Sequence, residues 1–207
     1  MRNFVLHSFY HKLYFKIAQT IYSDHRINSV VAIENILKSD ENDNICDFAV
    51  ACKNFSLPTT ILDKEFQIVT QGETVPCFSL IVNEYDVVVS LFNLHTQNRE
   101  EQVHFIRQMR QSASKAIFLE YENPERNIAY LGYLPVILGQ YISLYYENRK
   151  KSVQNSQLQN MKSYLKRGAL EGILYELPTI LPESSITVLQ RKSFGIGGIG
   201  MAYLEWD

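Results

Sequence analysis

Residues 85–121 read YDVVVSLFNLHTQNREEQVHFIRQMRQSASKAIFLEY, and their pattern decides the fold. Asp86–Phe92 is an unbroken, valine-rich apolar run, as expected of a strand buried on both faces of a parallel sheet. Asn98–Gln111 changes to a helical period: Val103, Phe105, Ile106 and Met109 share one face, and Asn98 with Glu101 has the spacing of a capping box. Ala116–Tyr121 is then a second apolar strand. Strand, helix and strand in this order predict a crossover that lays the two strands parallel, so the class is α/β.

Working back toward the N-terminus, Phe66–Thr70 and Ile45–Val50 read as shorter strands, and Ile27–Leu37 as a short helix closed by the charged run Lys38–Asn44. Residues 3–22 are apolar and aromatic, but His7, His11, Lys12 and Lys16 interrupt them too often for a signal sequence or a membrane span. Phe9, Leu13, Ile17 and Ile21 recur every fourth residue, which predicts an amphipathic helix packed on the domain. Tyr14 and Phe15 lie off that stripe and leave contact with a membrane interface open. Toward the other end, Asn127–Tyr146 and Gln157–Tyr175 carry long helical stretches, with Pro135 a kink or a helix start. Ile186–Arg191 and Met201–Trp206 flank a Gly-rich segment as an antiparallel hairpin. One domain is expected over residues 1–207, with N-terminal helices in 1–40 and a helical insertion over 127–178.

Composition narrows the function classes. A chain of 207 residues that is 46% hydrophobic and 20% charged suits one buried core. Its net charge of −2 and pI near 6.2 provide no global field for nucleic acid, and no nucleic-acid partner is expected. Cys46, Cys52 and Cys77 are odd in number and lack CxxC spacing, so buried free thiols in a reducing, cytoplasmic setting are expected, with no metal site. No Ser-His-Asp pattern, zincin helix or readable pair of catalytic carboxylates occurs. Gly195–Gly200 is followed by neither Lys-Ser/Thr nor a helix, which removes a phosphate loop. Arg149, Lys150, Lys151, Lys162, Lys166 and Arg167 read as a solvated helix face, with a phosphate or an acidic partner as the alternative.

Several segments together resemble the class I S-adenosylmethionine-dependent methyltransferases, in the bacterial type-11-like branch. Tyr85–His95 is similar to that family's fourth strand running into a Leu-His pair, and Arg99–Arg110 to the helix that follows it. Ala116–Asn127 resembles the fifth strand and the acidic loop overhanging the substrate. Tyr164–Leu174 looks like the family's "yl-x-rGGleglL" helix, and the Gly-rich hairpin like its terminal strands. The likeness covers about residues 80–207 and rests on order and spacing. It implies a Rossmann-like methyltransferase fold: a mainly parallel sheet, a C-terminal antiparallel hairpin and an N-terminal helical segment.

The first half departs from the family. Its first strand ends in Asp-x-Gly-x-Gly-x-Gly, whose glycines let backbone N–H groups approach the cofactor. The run matched to it is Asp47–Lys53, where Ala49, Ala51 and Lys53 stand at the glycine positions. The stretch from Asp47 to Asp86 is also too short for the full set of strands and crossover helices, so the first half is shortened. Asp63 is the candidate for the ribose hydroxyls, with a solvated loop acid as the alternative. His95 stands at the C-terminal edge of a buried strand, where it could act as a general base or simply cap the strand end. Glu120, Tyr121, Glu122, Arg126 and Asn127 share the next strand's edge and are the candidate substrate pocket. The expected protein has the methyltransferase fold with an eroded cofactor site, and binds a small molecule or a protein partner, with homo- or hetero-oligomers open. The alternative is an active methyltransferase acting on a small apolar or lipid-like acceptor.

Overall fold

The computed structural model describes residues 2–34, 47–63, 68–70, 73–75, 85–122, 151–194 and 198–207. A long first helix, α1 (Arg2–Ser23), buries Leu13, Ile17 and Ile21 along the predicted stripe, together with Tyr14 and Ala18. Phe15 is left outside, at 38% exposure.

The next two elements differ from the sequence expectation. Ile27–Leu37 was expected to be helical, but its centre is the strand β1 (Val30–Glu34), in which Val30 to Ile33 are buried. Consecutive β-branched residues lose side-chain freedom in a helix and pack well on a pleated face, and that preference outweighs the ambiguous spacing of a short apolar run. Ile45–Val50 was expected to be a strand, whereas the chain forms helix α2 (Asp47–Lys53). Phe48, Ala51 and Cys52 stand three and four residues apart and are all fully buried, which is the helical period.

Strand β2 (Thr59–Asp63) pairs in parallel with β1, from Val30 opposite Thr59 to Glu34 opposite Asp63. Two short strands, β3 (Ile68–Thr70) and β4 (Glu73–Val75), then continue antiparallel. No helix occurs between Asp63 and Tyr85 among the described residues. β3 and β4 pair antiparallel with each other at this edge of the sheet.

β5 (Tyr85–Leu91) begins beside the start of β1, where the Asp86 and Val87 N–H groups donate to the Ser29 carbonyl. The Asp86 carboxylate in turn accepts from the Asn28 and Ser29 N–H groups at 2.6 and 2.9 Å. After a 3₁₀ turn at Leu94–Thr96 comes α3 (Arg99–Ser112). Its capping box is formed reciprocally: Asn98 N–H donates to Glu101 Oε2 at 2.8 Å, and Glu101 N–H to Asn98 Oδ1 at 3.0 Å. Strand β6 (Ala113–Tyr121) ends beside the end of β5, with Phe92 N–H donating to the Leu119 carbonyl at 3.0 Å. The predicted β-α-β unit is thus present, and both β1–β5 and β5–β6 run parallel.

Helices α4 (Lys151–Lys166) and α5 (Ala169–Ile180) lie in the C-terminal half of the expected 127–178 insertion, and residues 127–150 lie outside the described residues. The hairpin of β7 (Ile186–Ser193) and β8 (Ile199–Trp206) closes the sheet, with β8 antiparallel to both β6 and β7. The strand order is β4-β3-β2-β1-β5-β6-β8-β7. The observed class is the expected one: α/β, parallel at its centre, with antiparallel strands at the C-terminal end.

The chain divides into two compact units. The first, Met1–Val89 with Gln111–Ser114, has its core in α1, α2, β1 and β2, where the Tyr14 and Phe48 rings meet edge to face at 6.0 Å. The second, Ser90–Arg110 with Lys115–Asp207, is centred on β6 and β8, with Trp206 edge-on to Phe118 at 6.2 Å. Gly200 is required there, because a Cβ would stand 2.6 Å from Glu122 Cγ.

Candidate functional site

The second unit gathers buried polar side chains at the C-terminal edge of β5 and β6. The chain leaves β5 through Phe92, whose φ of 57° is left-handed, a conformation that costs a non-glycine residue about 1 kcal/mol or more. That turn starts the 3₁₀ segment carrying His95. The His95 ring is buried, edge-on to Tyr121 at 4.8 Å and tilted against Tyr164 at 6.4 Å. Glu120, fully buried on β6, accepts from both sides: Leu94 N–H at 2.6 Å on Oε1 and His95 Nδ1 at 3.0 Å on Oε2. A carboxylate only accepts, so Nδ1 donates in this pair, and in the neutral ring Nε2 then carries the lone pair. No described residue hydrogen-bonds Nε2.

Further side chains hold this turn in place. Gln102 Nε2 donates to the Leu94 carbonyl at 2.6 Å, and Arg167 Nη2 donates to Gln102 Oε1 at 2.6 Å. Asn160 Nδ2 donates to the Thr96 carbonyl at 2.8 Å, and Tyr164 Oη to the Tyr121 carbonyl at 3.1 Å. Burial lowers the Arg167 pKa, while neighbouring Glu176 opposes the shift. Glu122 accepts from Ser193 Oγ at 2.6 Å, so it braces the hairpin. The structure therefore brings His95, Glu120 and Tyr121 together. Arg126 and Asn127 lie outside the described residues. Gln102, Asn160 and Tyr164 were not singled out from sequence, since a helix's polar residues carry no mark of which one turns inward.

The first unit holds the cofactor candidates. Asp47 opens α2 instead of ending a strand, Ala49 is half-buried, Ala51 is buried, and Lys53 is exposed at the helix end. Matching Asp47–Lys53 to the family's glycine loop is thereby corrected: a seven-residue helix occupies these positions, and β1 ends at Glu34. Asp63 does end β2, directly opposite Glu34 in register. Two acidic residues thus share the C-terminal edge of adjacent parallel strands, where open α/β sheets take ligands. Sequence reading missed Glu34 because its strand was taken for a helix. Its carboxylate accepts from Tyr14 Oη at 3.2 Å.

Residues 35–46 read NILKSDENDNIC, and the first glycine of the chain is Gly72. The acidic edge of β1 and β2 suits ribose hydroxyls, and the sequence of residues 35–46, which lie outside the described residues, holds none of the glycines of the family's loop. Among the described residues no cluster of His, Cys, Asp and Glu is arranged to hold a metal.

No family model matches the sequence, and no curated protein matches it significantly. Solved structures do. The mitomycin 7-O-methyltransferase MmcR superposes with a TM-score of 0.55 at 14% identity, over 95% of this chain and 54% of that one. The fold is the Rossmann-like methyltransferase fold. A zinc-dependent alcohol dehydrogenase from Rhodobacter sphaeroides gives a TM-score of 0.50 at 10% identity, over 91% of this chain and 88% of the other. The chain spans about half the length of the methyltransferase MmcR. Identity this low speaks to fold alone, and one fold hosts many chemistries.

Proposed function

We propose that this is a methyltransferase-fold protein with an eroded S-adenosylmethionine site, which serves by binding a small molecule or a protein partner. The glycine-free segment after β1 carries this reading. Glycine loops let the cofactor sit against backbone N–H groups, and side chains there crowd the nucleoside. The engagement of Glu34 by Tyr14 supports it, because one of the two acidic groups at that edge already has a partner within the fold. Isothermal titration with S-adenosylmethionine and S-adenosylhomocysteine tests it. No heat of binding is expected, and low-micromolar binding of either ligand overturns the reading.

The His95–Glu120 pair favours a second reading, an active methyltransferase on a small apolar or lipid-like acceptor. A buried carboxylate that fixes the imidazole tautomer and leaves Nε2 as a base is what proton removal from an acceptor hydroxyl needs. The same pair also serves the fold by tying the 3₁₀ turn to β6. Labelled S-adenosylmethionine incubated with cell extract separates the two. Methylated product that disappears in a folded His95→Asn variant establishes the second reading and removes the first.

A further inference from the structure

Two arginines of the second unit share one carboxylate. Glu176 Oε2 lies 3.0 Å from Arg99 Nη2 and 3.5 Å from Arg167 Nη1, and among the described residues neither guanidinium pairs with a second acid. Besides Glu176, the titratable groups that act on Arg167 are Arg99 and Tyr164. Arg167 also donates from Nη2 to Gln102 Oε1 at 2.6 Å, and Gln102 Nε2 donates on to the Gln97 carbonyl at 3.2 Å. Gln97, Gln102, Arg167, Glu176 and Arg99 thus form one network, in which two positive charges stand against one negative. Three of its side-chain atoms are buried without a hydrogen-bond partner: Arg99 Nη1, Arg167 Nε and Gln97 Oε1. A polar atom left so is costly, most of all on a charged side chain, and folded proteins rarely keep one. The side chains of Arg99, Arg167 and Glu176 are 38%, 26% and 27% exposed, so the network reaches the surface.

We propose that this network binds a phosphate group that still carries a proton. Two spare donors, one spare acceptor and a spare positive charge match its parts: ionised oxygens accept from Arg99 and Arg167, and the remaining hydroxyl donates to Gln97 Oε1. The planar guanidinium suits a phosphate, since it presents several N–H groups in a fixed fork. Arg99 opens α3 and Arg167 directly follows α4, so both long side chains can turn onto the anion while the helices stay in place. A carboxylate or a sulfate fits less well, because either is fully ionised near neutral pH and brings no O–H for Gln97. Nucleic acid fits poorly too: Lys162 and Lys166, the basic neighbours along α4, point to solvent and take no part in the network. None of these residues belongs to the first unit, which holds the cofactor candidates, so the proposal stands whether or not S-adenosylmethionine binds.

Calorimetric titration of the full chain with inorganic phosphate, at fixed ionic strength in a zwitterionic buffer, tests the proposal. Saturable binding is expected, with sulfate and acetate weaker by about tenfold, the worth of one hydrogen bond to a charged group. Arg99→Gln and Arg167→Gln should each weaken phosphate binding by a similar factor. Glu176→Gln should strengthen it, because a competing carboxylate is gone. Gln97→Leu should bring phosphate down to the level of sulfate. Lys166→Gln, at the exposed end of α4, controls for general loss of positive charge and should leave binding unchanged. Circular dichroism confirms that each variant is folded, and the gain in Glu176→Gln keeps the test decisive should Arg167→Gln fail to fold. Glycerol 1-phosphate distinguishes the source: binding tighter than that of inorganic phosphate assigns the group to a phosphorylated metabolite, and weaker binding assigns it to the free ion. No saturable binding of either, equal binding of sulfate, unchanged binding in Arg99→Gln, or an equal loss in Lys166→Gln overturns the proposal.

Discussion

Burial pushes the Cys52 thiol up to about 11 from its ordinary 9.0, and a hydrogen bond with Thr59 offsets part of the rise. The unfolded chain ionises this thiol first, so its contribution to stability is complete below pH 9.0 and drains away as pH climbs toward about 11. Urea titrations of the wild type and Cys52→Ala should therefore converge across that window, and curves that stay parallel would sink the assignment. Which single residues could be foreseen depended on local marks. His95 stood out because it ends a valine-rich strand, and Glu120 and Tyr121 because they end the next one. Their convergence on one rim follows from the two strands being parallel, but the His95–Glu120 hydrogen bond was not foreseeable, since it depends on the exact register and on the turn that carries His95. Glu34 escaped for a different reason: VVAIE is short enough for strand and helix spacing to look alike.

Among the elements, the junction of α4 and α5 carries a strain that can be tested. Gly168 adopts a φ of 95° and Ala169 one of 54°, and the methyltransferase pattern has a second glycine where Ala169 stands. A Cβ in the left-handed region costs about 1–2 kcal/mol, more than the entropy a glycine adds to the unfolded chain. Ala169→Gly should raise stability by about 1 kcal/mol in chemical denaturation, and a loss would show that the alanine methyl's packing matters more. Gly172 is constrained differently, because the Arg167 carbonyl oxygen would stand 1.9 Å from any Cβ there. The elements that were readable beforehand, β5, α3, β6 and the β7–β8 hairpin, each combine a long pattern with a cap or turn. β1 and α2 have neither and were exchanged for one another's type. Long amphipathic periods and continuous valine-rich runs survive ignorance of tertiary packing, whereas five to seven residues with neither do not.

For the whole molecule, the methyltransferase topology is carried by the order of strands, and its departure by what lies between β2 and β5. The second unit makes a prediction of its own. β8 lies between β6 and β7, so removing residues 199–206 takes away the hydrogen-bonding partner of both. That truncation should leave no cooperative thermal transition for the second unit, and a sharp transition in calorimetry would show that the unit does not depend on β8. The same arrangement bears on biosynthesis. Lys115 must wait for Glu205, so on the ribosome one edge of β6 emerges with its amides bare and stays so until the rest of the unit has been translated. Yield in a host cell should consequently be governed less by the finished protein's stability than by whatever shields that nascent strand, with slower translation lengthening the hazard and trigger-type chaperones shortening it.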